Sequence, residues 1–154
     1  MPKKVNSVTI ANVDPRFKFH KKKLVKLTQS VLKKLGYKSV QLSLVFVTDS
    51  EIKRLNKKHL NHSWVTDVLA FPFKGSNQNF IGEVIISPKR AKIYSQKFNI
   101  SYQEELVRYI CHGILHLKGY SDHSKKARQI MEQKENLLIR SVARLTEGPF
   151  NYGH

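Results

Sequence analysis

Apolar residues recur along this chain with two different periods, and the changes of period mark the expected element boundaries. Leu24, Leu27, Val31, Leu32 and Leu35 fall at helical spacing, and Gly36 follows as a stop. Val40, Leu42, Leu44 and Phe46 then alternate with Gln41, Ser43, Val45 and Val47, the period-two pattern of a strand with at least one buried face. Thr48 and Glu51 have capping-box spacing and open a helix expected to run to about Leu60. Val68–Phe73 and Phe80–Ile86 read as two strands parted by a polar loop, and Ser7–Ala11 as a shorter one. Pro88 suits the first turn of a helix ending near Phe98. Ser101 and Glu104 open another, expected to end near Leu117 with Gly119 beyond it. A last helix is expected over about 124–145, with a frayed tail at 146–154.

Strands interrupted by helices, with a helical C-terminal half, imply an α+β fold, a mixed sheet layered with helices. No repeat, low-complexity run or Pro/Gly/Ser-rich linker divides the sequence, so residues 1–154 are expected to form a single domain.

Composition narrows the function classes. With 40% hydrophobic residues in a chain of 154, wholesale disorder is excluded. The single cysteine, Cys111, forbids an intrachain disulfide and leaves too few thiols for a cysteine zinc knuckle. Its position on a helix suits a small buried hydrophobe. Neither a membrane-length apolar run nor a signal-like apolar segment occurs, so a cytoplasmic location is expected. Neither G-x-G-x-x-G nor G-x-x-x-x-G-K is present, which removes the common nucleotide-cofactor motifs.

Charge changes the picture most. Against 11 acidic residues stand 28 lysines and arginines, a net charge of +17. Residues 1–60 hold 15 basic and 3 acidic side chains, a net +12. Cations near a phosphate backbone release condensed counterions, so such a surface favours nucleic acid; its alternative use is simple solubility.

The candidate chemistry lies in His112-Gly-Ile-Leu-His116-Leu-Lys-Gly-Tyr-Ser-Asp-His123. Histidines at i and i+4 on a helix share one face, so His112 and His116 can meet one cation. Gly119 ends the helix and turns the chain back, bringing His123, or Asp122 beside it, toward the pair. Three protein donors with a position left for water form the pattern of a catalytic zinc rather than a structural one. The metalloprotease motif H-E-x-x-H needs a glutamate where this chain has Gly113, so peptide hydrolysis is set aside. A metal that lowers the pKa of its water to about 7 and polarises a phosphoryl oxygen suits phosphodiester hydrolysis on a basic surface.

These residues resemble the YbeY family of single-strand-specific endoribonucleases of ribosomal RNA maturation. Thr66-Asp-Val-Leu-Ala-Phe-Pro72 resembles the family's T-D-V-L-S-F-P. Ile81-Gly-Glu-Val-Ile-Ile-Ser87 is similar to its G-D-I-x-I-S region, with Glu83 at the aspartate. His112-Gly-Ile-Leu-His116-Leu-Lys-Gly-Tyr120 matches H-G-x-L-H-L-x-G-Y. The resemblance implies a small mixed sheet of about four strands flanked by helices. It also implies three histidine ligands for one metal ion, taken to be zinc, in a cleft bordered by basic residues. By position His112 and His116 are the first two ligands. For the third, family spacing from His116 lands on Asp122, while the family's Asp-His dipeptide is intact one residue later; His123 is chosen, with Asp122 as the alternative.

One departure concerns the substrate. The family's arginine in the segment before T-D falls on Leu60, and Arg54, Lys53, Lys57 and Lys58 of the preceding helix are the nearby cations expected to grip RNA instead. Trp64 offers a ring on which a base could stack, though packing serves it equally. The reading that follows is a zinc-dependent endoribonuclease acting on single-stranded RNA, with ribosomal RNA precursor and the ribosomal subunit as expected partners. Its competitor is a non-catalytic RNA-binding or ribosome-assembly factor whose metal only pins the loop after the histidine helix, the metal region spanning about 101–123.

Overall fold

The computed structural model describes residues 5–60, 68–75, 79–146 and 151–152. In chain order the elements are β1 (Ser7–Asn12), β2 (Lys18–Phe19), α1 (Lys21–Lys34), β3 (Gln41–Phe46), α2 (Asp49–Leu60), β4 (Val68–Gly75), β5 (Phe80–Ile86), α3 (Pro88–Phe98), α4 (Tyr102–Lys118), α5 (Lys125–Ser141), a 3-10 turn (Ala143–Thr146) and β6 (Asn151–Tyr152). The main sheet has the order β1-β3-β5-β4. β1, β3 and β5 run parallel, and β4 closes one edge antiparallel to β5. This is the mixed four-stranded α+β sheet that the periodicities and the family resemblance imply.

Register assigns the two faces. Val8 pairs with Leu42, Leu44 with Val84, and Phe46 with Ile86. Successive side chains alternate in direction, so these residues share one face with Val68 and Ala70. That face is buried beneath α1 and α4 in a core including Leu24, Leu27, Leu106, Ile110 and Ile114. The opposite face carries Ile85 and Leu69, which pack with Ile52 and Leu55 of α2 in a smaller cluster. The alternation of β3 therefore reports a strand covered on both sides, by different helices.

Two details differ from the sequence expectation. The last helix ends at Ser141 rather than near residue 145, because the Val142 N–H is shared between the carbonyls of Leu138 and Ile139, tightening the chain into the 3-10 turn. Within the segment expected to fray, Asn151–Tyr152 pair antiparallel with Lys18–Phe19. Two-residue ladders leave no hydrophobic period to read.

Cys111 is fully buried, and burial pushes its thiol up to about 12. It is inert core, as its place on the helix suggests. Among the described residues no helix is long and apolar enough to cross a membrane.

Candidate metal centre

The two histidines are placed by α4, a helix with clear sequence signals at both ends. Ser101 caps its N-terminus by accepting the Glu104 N–H at 3.1 Å. Gly119, at φ 112°, ends it in the left-handed region, while the Gly119 and Tyr120 N–H groups close back on the carbonyls of His116 and Leu115. Gly113 decides how close α4 lies to the sheet. A Cβ at that position would sit 2.5 Å from Val84 Cγ1 and 3.2 Å from Val68 Cγ1. Position 113 thus faces β5 and β4, so a glutamate there could not serve the site, and the metalloprotease motif is excluded by packing as well as by sequence.

His112 and His116 meet with Nε2 atoms 2.9 Å apart and ring planes at 83°. Asp122 Oδ2 lies 3.5 Å from the first Nε2 and 3.4 Å from the second. Each Nδ1 is engaged from behind. His112 Nδ1 is 2.5 Å from Glu135 Oε2, and His116 Nδ1 is 3.1 Å from the Tyr120 carbonyl oxygen. A carboxylate and a carbonyl only accept, so both Nδ1 atoms carry hydrogen. In the neutral rings both Nε2 lone pairs then point at each other and at a carboxylate oxygen. Three acceptors converging this closely repel, and a cation between them removes the conflict. Donors about 2.1 Å from a tetrahedral ion stand about 3.4 Å apart, which matches both distances to Asp122 and asks the two imidazoles to part from 2.9 Å.

Burial first, and His112 second, hold the His116 imidazole below its ordinary pKa. That keeps it neutral near pH 7, as a ligand must be. The donor set of two imidazoles and one carboxylate fits a divalent transition metal.

Behind the donors, Glu135 is only 6% exposed. Its carboxylate lies between His112 and Arg108, whose Nη1 is 3.6 Å from Oε1 and donates to Asn136 Oδ1 at 2.8 Å. The carboxylate behind the imidazole fixes ring orientation and tautomer, as in a carboxylate–histidine–metal relay, and would hold Nε2 toward a cation. Sequence reasoning missed Glu135. Its signal was an acid in the apolar stripe Met131, Glu135, Leu138, Ile139 of α5.

Of the two residues the sequence leaves open for the third position, the structure sets the alternative beside the pair. Asp122, not His123, reaches the pair. His123 is exposed, and its backbone N–H donates to Ser121 Oγ at 3.1 Å. Ser121 stands between Tyr120 and the Asp122-His123 dipeptide, and the turn brings the aspartate beside the pair.

Lys53, Arg54, Lys57 and Lys58 are exposed on α2, as expected for that helix. α2 packs on the sheet face opposite the one that α4 covers. Arg54 is gripped by Glu51, at 2.6 and 3.0 Å. The cavity beside the donors, about 330 Å³, is lined instead by residues including Tyr94, Arg108 and Tyr109 from α3 and α4. The side chain of Leu60, along with residues 61–67 including Trp64, lies outside the described residues.

The sequence model of the endoribonuclease YbeY family matches residues 9–143. The chain belongs to that family. The endoribonuclease YbeY of Bacteroides fragilis is 38% identical over 99 residues, covering 64% of this chain and 70% of the relative. That of Parabacteroides distasonis is 36% identical over 111 residues, 72% of this chain and 78% of the relative. That of Chlorobium luteolum is 30% identical over 121 residues, 79% and 88%. The solution structure of TM1509 from Thermotoga maritima superposes with a TM-score of 0.58 at 24% identity, over 92% of this chain and 96% of that one, which shows the shared fold. Within the YbeY family frame, the H-G-x-L-H string of this chain is the stretch of α4 whose histidines face Asp122.

Proposed function

We propose that this YbeY family member is a zinc-dependent endoribonuclease that hydrolyses phosphodiester bonds in single-stranded RNA, with ribosomal RNA precursor as its substrate. The observation that carries the reading is the convergence of His112 Nε2, His116 Nε2 and Asp122 Oδ2 within 4.8 Å of one another, at the edge of an open cavity. When bound there, a divalent ion supplies Lewis acidity, acidifying water and drawing charge from a phosphoryl oxygen.

The chain's own residues do the positioning. Glu135 keeps the His112 ring in one tautomer, and the Tyr120 carbonyl does the same for His116. Asp122 adds the negative charge that raises affinity for a dication. The net charge of +17 draws a polyanion to the surface whatever its sequence.

Leu60, standing where the family resemblance places an arginine, favours a second reading: a metal-stabilised RNA-binding or ribosome-assembly factor without catalysis. Cleavage separates the two. Metal-reconstituted protein should cut labelled single-stranded RNA and spare a duplex of the same sequence, while His116→Ala should cut neither. Tight RNA binding with no cleavage by the metal-loaded protein would select the second reading.

A further inference from the structure

α3 carries an exposed aromatic pair that nothing in the metal chemistry uses. Tyr94 is 44% and Phe98 52% exposed, an unfavourable state for two large rings one helical turn apart. Their centroids lie 4.4 Å apart with planes inclined by 37°, so Phe98 supports Tyr94 from one side. Lys97 lies over the Phe98 ring at 5.5 Å, so the ring with the larger exposure already carries a cation. Tyr94 lines the same cavity as His112, His116 and Asp122. An adjoining cavity of about 510 Å³ is bounded by Tyr94, Phe98 and, from α5, the exposed Arg128.

The walls select the occupant. Glu105, Glu132 and Glu135 border the adjoining cavity, and its Arg108 is already paired with Glu105 and Glu135, which makes the interior a poor environment for a phosphate. A flat, neutral group fits there, with its charged backbone left outside. Arg128 lies at that boundary, one guanidinium N–H donating to the Asp122 carbonyl oxygen at 3.3 Å. A second copy of this chain is opposed by the net charge of +17 on each molecule.

We propose that Tyr94, backed by Phe98, is a stacking platform for one nucleobase of single-stranded RNA beside the metal donors, and that Arg128 holds a phosphate of the same strand. The platform sets how the strand approaches the site; it rests on the proposed RNA substrate. It also gives a physical basis for single-strand preference, since a base in a duplex has no free face to offer.

The test compares binding of a labelled 2′-O-methyl oligouridine with that of an abasic strand of equal length, using metal-loaded protein. Tyr94→Ala should bind the base-bearing strand about five- to 150-fold more weakly, the range for removing one aromatic stack. It should bind the abasic strand as the wild type does, with an unchanged salt slope. Tyr94→Phe should retain wild-type affinity. Arg128→Gln should lower the salt slope by about 0.7, the share of one neutralised phosphate on a single strand. Equal losses for both strands, or no loss for either, would overturn the platform. So would a wild type that dimerises through this face, with Tyr94→Ala becoming monomeric and binding RNA normally. Cleavage by the wild type is scored in parallel. Base-dependent binding without cleavage would sink the nuclease reading and leave the platform standing; cleavage with base-independent binding would do the reverse.

Discussion

Glu135 Oε2 stands 2.5 Å from His112 Nδ1, joining α5 to the metal-facing helix between residues 23 positions apart in sequence. This contact turns a pair of surface histidines into an oriented site, because a carboxylate behind the ring dictates which nitrogen faces the cation. Glu135→Gln keeps the shape and one acceptor oxygen but removes the charge. Its metal affinity should fall about tenfold, within the usual range for outer-shell changes. Competition with a chromogenic chelator measures this, and unchanged affinity would detach Glu135 from the site.

Asp122 and His123 make opposite forecasts. Asp122→Ala should lose the metal during mild purification, while His123→Ala should retain close to one equivalent by elemental analysis. The reverse order would show that the loop rearranges on binding to present the imidazole.

Gly113→Ala tests the packing that places the helix. Alanine normally favours a helix interior over glycine by up to about 1 kcal/mol. Here its Cβ would meet Val84 Cγ1 at 2.5 Å. Overpacking costs about 1–3 kcal/mol, so the net effect should be destabilising. Combining it with Val84→Ala should recover part of the loss in a denaturant titration. A more stable single variant would mean that α4 moves away from the sheet freely.

How much of this was legible in the sequence follows from where each contact lies. His112 and His116 share one helix, so spacing alone brings them together. Glu135 acts from another helix, and no local period links it to position 112. The choice between Asp122 and His123 depends on how one short turn aims two adjacent side chains, which composition does not encode. The alternation in β3 announced a strand but not which helix covers which face. The side of the sheet on which α2 presents its cations is not readable from that alternation either, and Tyr94 and Arg108, unmarked by any motif, line the cavity.

Asp14 gives an acid-dependent prediction away from the site. The Arg16 guanidinium, hydrogen-bonded at 2.8 and 2.9 Å, holds the buried Asp14 carboxyl below the usual carboxylate range. A folded pKa below the unfolded value of about 3.9 stabilises above that value, and the benefit is lost as pH falls through the folded pKa. Asp14→Asn should therefore be less stable than the wild type at pH 7, with the gap narrowing in acid. Denaturant midpoints at the two pH values measure it; an equal gap at both would contradict the ion pair's role.

The central claim is that the donors His112, His116 and Asp122 hold a metal ion on which RNA cleavage depends. Its most direct test is to strip the protein with a chelator and follow cleavage of end-labelled single-stranded RNA as zinc is returned stepwise. Cleavage should be absent at the start, rise with added metal and level off at one equivalent per chain. Full cleavage by the stripped protein, or one bound equivalent with no cleavage, would contradict the account.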